Sequence, residues 1–162
     1  MTKTLKNFLK KHDVDVDVNM QKFAKDLTLE QFLETCKRGD WILWLFAKTN
    51  PESLRELTLA KGHCAATVLD LMLIEKSKKA VQAAIDFGNF KIGEEELDVA
   101  AEAADVTADT ASFAAYAAAS DAEHDHAASF AASAVDDDDY KKNQAQTADI
   151  CRKYLPLEIW SL

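Results

Sequence analysis

The chain has 162 residues, 48% of them hydrophobic and 29% charged, with only 4 Gly and 2 Pro. That composition belongs to one globular domain of long helices, able to bury roughly two thirds of its unfolded surface without staples, and excludes a linker or a disordered tail. Its 19 basic and 28 acidic residues give a net charge of -9, which excludes nonspecific binding to nucleic acid or an anionic membrane, serves solubility, and permits a basic protein partner.

In chain order, Thr4 to Lys11 carries Leu5, Phe8 and Leu9 at helical spacing and reads as a short amphipathic helix. The run from Asp13 to Val18 alternates Asp and Val with the period of a strand. A lone strand has no partner to complete its hydrogen bonds, so a connector is expected. Thr28 and Gln31 form a capping-box signature, followed by the stripe Leu29, Phe32, Leu33 and Cys36. Gly39 ends that helix. Asp40 is placed to cap the next one, in which Trp41 to Phe46 are apolar almost all round and predict a central, buried helix.

Asn50-Pro51 stops this element and predicts the start of another, with Asn50 as N-cap and Pro51 in the first turn. The spacing predicts a helix to about Ile74, about 36 Å long, with Gly62 marking a bend or a close helix contact. Ser77 to Phe87 supplies the next helix and closes near Gly88-Asn89. After Gly93, Glu94 to Glu96 favour the positive end of a new one. Alanine makes up about half of Leu97 to Val135, predicting two helices interrupted near Asp105-Val106-Thr107. The second is expected over roughly Ala108 to Ala134, tightly packed and punctuated by Phe113, Tyr116 and Phe130. Asp136 opens a last helix through Tyr154, ended by Leu155-Pro156. The expected fold is all-α: a compact bundle of about eight helices in one domain, residues 1–162, built around an alanine-rich helical hairpin. No helix pair repeats at a fixed period, which argues against a superhelical stack.

The densest ionisable cluster is Asp121, Glu123, His124, Asp125 and His126. On a helix, Asp121, His124 and Asp125 share one face and Glu123 pairs with His126. A di-iron bundle needs a second Glu-x-x-His and two further glutamates at facing positions, and the sequence offers no second copy, so no metal is expected. The cluster reads as a solvated helix face or a partner-contact surface. Asp136, Asp137, Asp138 and Asp139 lack the alternating ligands and glycine turn of a calcium loop and read as a solvated helix start. His63 and Cys64 are adjacent on a helix, about 100 degrees apart and among core-like residues, which does not make a nucleophile and base.

Cys36, Cys64 and Cys151 are odd in number, lack paired spacing, and read as buried reduced thiols. No Gly-rich phosphate loop, Gly-x-Ser-x-Gly elbow or paired-cysteine motif is present, so neither catalytic residues nor a cofactor are expected. Trp41 and Trp44 are expected in core packing rather than a ligand cage, while Arg38 and Arg55 have acidic residues nearby in sequence. The basic start has no apolar stretch long enough for a signal peptide, and no later run reaches about 18 apolar residues, so a cytoplasmic location is expected.

Three segments carry a resemblance: Cys36-Lys37-Arg38-Gly39-Asp40-Trp41-Ile42-Leu43-Trp44-Leu45, then Leu57-Thr58-Leu59-Ala60 through His63-Cys64-Ala65, and Ala148-Asp149-Ile150-Cys151-Arg152-Lys153-Tyr154-Leu155-Pro156. In this order and spacing, residues 27–157 resemble a bacterial and phage-associated family of immunity proteins of polymorphic toxin systems. Residues 1–26 stand outside as an N-terminal helical segment and connector. The resemblance implies a helical protein that binds and neutralises a cognate toxin, with no catalytic residues to carry over. On that reading an acidic face steers a basic toxin, and Asp121, Glu123, His124, Asp125 and Asp136 to Asp139 are the candidate contacts. The alternative is a non-catalytic helical adaptor of a phage or mobile element, self-associating through the alanine-rich hairpin.

Overall fold

A computed structural model describes residues 4–104, 109–121 and 124–161. Among them the chain forms ten α-helices: α1 (Leu5–Lys11), α2 (Val18–Ala24), α3 (Leu29–Thr35), α4 (Gly39–Thr49), α5 (Leu54–Ala66), α6 (Glu75–Gly88), α7 (Glu94–Ala103), α8 (Thr110–Ala119), α9 (His126–Ala134) and α10 (Asp137–Tyr154). Short 3-10 turns at Leu69–Leu71 and Leu157–Ile159 and one isolated antiparallel bridge, Thr4 to Thr28, complete the described regular structure. The fold is an all-α bundle, with ten helices rather than eight.

The extra helices arise where local chemistry overrides periodicity. Asp17 accepts hydrogen bonds from the backbone N–H groups of Asn19 and Met20, at 2.7 and 3.0 Å, and so opens α2 where the alternating run predicted only a connector. Thr28 and Gln31 close the predicted capping box, each side chain meeting the other's backbone N–H. Arg38 is the N-cap residue of α4, and Asp40 lies inside its first turn, not at the cap.

The helix predicted from Asn50 to Ile74 is much shorter. Asn50 is not its N-cap: its side-chain amide donates to Phe46 O and Thr49 Oγ1 at the end of α4, while its Oδ1 accepts from Ser161 N. With that side chain committed, α5 starts at Leu54. It stops at Ala66 because the Thr67 hydroxyl donates to Cys64 O at 2.7 Å, and Thr67 and Val68 N–H fall back to three-residue bonds.

The alanine-rich region divides differently from the expected pair. The predicted break at Asp105-Val106-Thr107, and Ala108 with it, lie outside the described residues. The single helix expected over roughly Ala108 to Ala134 is two, α8 and α9, folded on each other as the hairpin.

α5 is the centre of the bundle and packs against α4, α6, α8, α9 and α10. Its inward positions are Leu57, Ala60, Cys64 and Ala65, all buried. Alanine fills much of the space around them: Ala114, Ala115, Ala118, Ala127 and Ala131 are buried, whereas Phe113 is 39% exposed and stacks on Phe130 with ring centroids 5.0 Å apart. The aromatic residues expected to punctuate the interior of the hairpin thus include a clasp on its outside. Each buried methyl contributes on the order of 1 kcal/mol, so stability depends on how closely the backbones approach.

Two glycines set that approach. A Cβ on Gly39 of α4 would meet the Thr147 side chain and backbone of α10 at 2.4 to 2.7 Å; one on Gly88 of α6 would meet Leu59 Cβ at 2.4 Å and its Cα at 2.9 Å. At Gly62 the clashes are milder: Ile85 Cγ1 at 2.9 Å, and Ala84 Cβ and Ile85 N at 3.1 Å. Gly39→Ala is therefore expected to destabilise the domain by about 2 to 3 kcal/mol and Gly62→Ala by a smaller amount, about 1 kcal/mol. Urea denaturation of the two variants checks this, and equal losses would contradict it.

Candidate functional site

The predicted cluster sits in the turn between α8 and α9, not on a continuous helix. The expected sharing of one helical face by Asp121, His124 and Asp125 therefore does not occur. Asp121 is exposed; His124 and Asp125 are half-buried; His126 is the first residue of α9. Glu123, and with it the predicted Glu123–His126 pair, lies outside the described residues. Ser120, extended at φ -110°, ends α8 and starts the turn.

What holds the turn is a residue outside the predicted set. Lys61, in the middle of α5 and 1% exposed, donates from Nζ to Ser120 O at 2.8 Å. That carbonyl belongs to the negative end of α8, where an ammonium is favoured electrostatically and supplies a donor the helix end lacks. Burial still dominates: it pushes the Lys61 amine down to about 8, against the opposing pull of Asp121. His124 is lowered by burial first, then by Lys61 and Lys48, with Asp121 pulling the other way. Its buried Nδ1 has no hydrogen-bond partner among the described residues.

Beside the turn runs a groove of about 300 Å³, bounded by α2, α4 and Asp125. Among the described residues, its acidic lining comes from Asp17, Asp40 and Asp125, its aromatic lining from Trp41 and Trp44, and its cation is Arg38. Arg38 forks onto Asp40, Nε to Oδ1 at 2.8 Å and Nη2 to Oδ2 at 2.5 Å, and lays its guanidinium over Trp41, 4.6 Å from the ring centroid. This bond raises the Arg38 guanidinium above its ordinary range, against partial burial. Both tryptophans pack against the core on one side, as expected, and line the groove on the other.

Asp136 to Asp139 are all exposed and stand at the far end of α9 from the turn, where Asp136 is the N-cap of α10. The structure does not merge the two predicted acidic clusters into one site. The groove instead brings Asp125 to Asp17, Arg38, Asp40 and the tryptophans.

The remaining reactive side chains are occupied structurally. His63 stacks on Tyr154, centroids 4.2 Å apart and planes 5° from parallel, while Cys64 faces Cys151 at 3.8 Å between sulfurs. The three cysteines are free and buried, and burial pushes the Cys36 thiol up to about 11. Arg55 reaches Phe87 O and stacks on the Phe87 and Phe90 rings rather than on a carboxylate. No group of three or more His, Cys, Asp or Glu among the described residues is arranged to hold a metal ion, and none of the described helices is long and apolar enough to cross a membrane. The groove supplies charge and aromatic surface, the chemistry of binding.

Comparison with protein-family models, curated proteins and solved structures gives no match.

Sequence reasoning missed Lys61 and Asp17. Lys61 had a signal: it stands among Leu57, Cys64 and Ala65 at helical neighbour positions, a charge placed on an apolar face. Asp17 was hidden by the strand-like alternation around it.

The lowered Lys61 amine has a consequence for stability. Between about pH 8 and pH 10.5 the unfolded chain keeps this lysine protonated while the folded chain releases the proton, so its contribution to stability rises with pH across that window. The stability difference between the parent chain and Lys61→Met is expected to shift in the parent's favour from about pH 7.5 to about pH 10. Buried thiols act with the opposite sign but cancel in this difference. Denaturation curves at the two pH values measure it, and a flat difference would refute the assignment.

Proposed function

We propose that this chain is a non-catalytic binding protein that neutralises a basic protein partner by occlusion, as the resemblance to toxin-immunity proteins implies. The observation that carries this reading is the α8–α9 turn. It places Asp121 at the surface and Asp125 on the rim of a groove walled by Trp41 and Trp44, on a protein of net charge -9. Carboxylates beside partly exposed indoles suit a protein interface: aromatic residues anchor, and the surrounding charge steers and selects. Asp136 to Asp139 form a second, separate acidic surface at the other end of α9. Occlusion needs a rigid contact surface, and Lys61 pins the turn to the centre of the bundle.

Self-association through the alanine-rich hairpin receives no such support, because Ala114, Ala115, Ala118, Ala127 and Ala131 already pack inside the chain.

Affinity capture of the tagged protein from its native cells, together with co-expression against products of neighbouring genes, tests the proposal. The expected result is one stoichiometric basic partner, protection of cells that express it, and an association rate that falls at least about tenfold between about 50 mM and about 500 mM salt. A partner that is acidic, or capture without any protection, would rule the occlusion reading out.

A further inference from the structure

The turn between α6 and α7 holds a phenylalanine where its backbone calls for a glycine. Phe90 N donates to Phe87 O at 3.1 Å and Lys91 N to Asp86 O at 2.8 Å, the paired bonds that close a helix C-terminus through one left-handed residue. Phe90 is that residue, with φ 60°. A bulky side chain rarely adopts this conformation, which costs free energy that glycine does not incur. Gly88 and Asn89 stand just before it, and neither has a positive φ. Little burial is gained in return, because Phe90 is 75% exposed. Strain retained for a side chain that the core does not use points to function. The exposed ring is nevertheless held in place. Arg55 lays its guanidinium over Phe90, 4.6 Å from the centroid, and over the buried Phe87 at 4.1 Å, and donates to Phe87 O and Ile92 O. Glu52, Glu56 and Glu94 line the same hollow of about 310 Å³ and are exposed. None of the three joins an ion pair among the described residues, and Lys91, the cation next to Phe90, is paired with Asp86 at 3.3 Å. A preset aromatic ring open to solvent, bordered by uncommitted carboxylates, has the composition of an interface anchor with a charged rim.

We propose that Phe90 is a docking anchor. Its ring enters an apolar pocket on a basic partner protein, and Glu52, Glu56 and Glu94 meet cationic side chains around that pocket. The assignment rests on the reading of the chain as a binder of a basic protein, and it adds a contact outside the groove at the α8–α9 turn. A basic rim fits this surface because an apolar or acidic one would desolvate three carboxylates without a counter-charge.

The probe is a β-cyclodextrin with ammonium groups on one rim, an apolar cavity bordered by cations, compared with neutral β-cyclodextrin. Both are titrated at about 50 mM salt and followed by the aromatic ring resonances. Saturable binding of the ammonium form at least about fivefold tighter than the neutral form is expected, with the Phe90 ring signal moving most. Phe90→Gly is expected to abolish this binding, and Glu52→Gln combined with Glu94→Gln to remove the preference for the ammonium form. Tyr140→Ser, which deletes another exposed ring, is expected to leave both unchanged. Urea denaturation separates docking from a structural role: Phe90→Gly is expected to unfold at the same or a higher urea concentration than the parent chain. A clearly lower midpoint would overturn the anchor by showing that the ring serves the fold. Equal affinity for the two cyclodextrins, or binding that survives Phe90→Gly, would overturn it too. Sedimentation that shows a dimer in the parent chain and a monomer in Phe90→Gly would assign the ring to a second copy and also overturn it. Binding of the captured basic partner is expected to weaken at least about tenfold in Phe90→Gly. Undiminished binding would overturn the anchor and leave the occlusion reading standing, whereas cyclodextrin selectivity with no captured partner would support the anchor and count against occlusion alone.

Discussion

Close approach of backbones around α5 is the constraint on which the rest of the molecule depends. Five helices pack on this thirteen-residue element, and they fit because the residues between them are small. Gly39 lies on Thr147, Gly88 on Leu59, and alanines of α8 and α9 fill the remaining space. Interiors at crystal-like density tolerate little added volume, so a core of methyl groups has less freedom to repack than one of leucines. Such a core binds weakly per residue and gains its strength from the number of short contacts.

Against this background a buried lysine is a conspicuous choice. Removing an ammonium from water is costly, and the Lys61 amine is displaced downward accordingly. The offset is structural: Ser120 O is a terminal carbonyl of α8, and Lys61 brings a donor to it from inside the core. One side chain therefore links the central helix to the turn of the alanine-rich hairpin. The same turn carries Asp121, His124 and Asp125, so the element that makes the hairpin possible also positions the charged surface beside the groove.

The groove combines rigidity with charge. Its floor is α4, whose Trp41 and Trp44 are packed on one side against the core, and its wall is α2, opened by Asp17. The Arg38–Asp40 pair is partly shielded, with the Asp40 side chain only 10% exposed, and removing either partner would leave the other poorly solvated. These residues come from the Arg-Gly-Asp-Trp segment, in which every position contributes differently. Arg38 and Asp40 form the fork, Gly39 admits α10, and Trp41 supplies the face. A binding protein that works by covering its partner needs this kind of preformed surface, since ordering a loose one would subtract from affinity.

Helical content, the Thr28–Gln31 capping box, the buried stripe of α3, the burial of most of α4 and the end of α10 at Leu155 were all legible in the sequence, because each follows from periodicity or from hydrogen bonds a few residues apart, whereas the central place expected for α4 belongs to α5. The short α5 was not, since Asn50 is claimed by Ser161, more than a hundred residues away. Nor was the division into α8 and α9: alanine's propensity predicts one long helix, and the lysine that meets the end of α8 reaches it from α5, across a distance in sequence that no local pattern encodes. The acidic residues were recognisable as a class, but their grouping was not. Asp125 joins Asp17 and Asp40 in one groove while Asp136 to Asp139 stand apart, because proximity between helices is decided by packing. Sequence by itself determined where helices could form and which residues were charged or apolar; tertiary structure alone decided which helix ends meet and which carboxylates share a surface, since those contacts join segments with no local interaction to specify them.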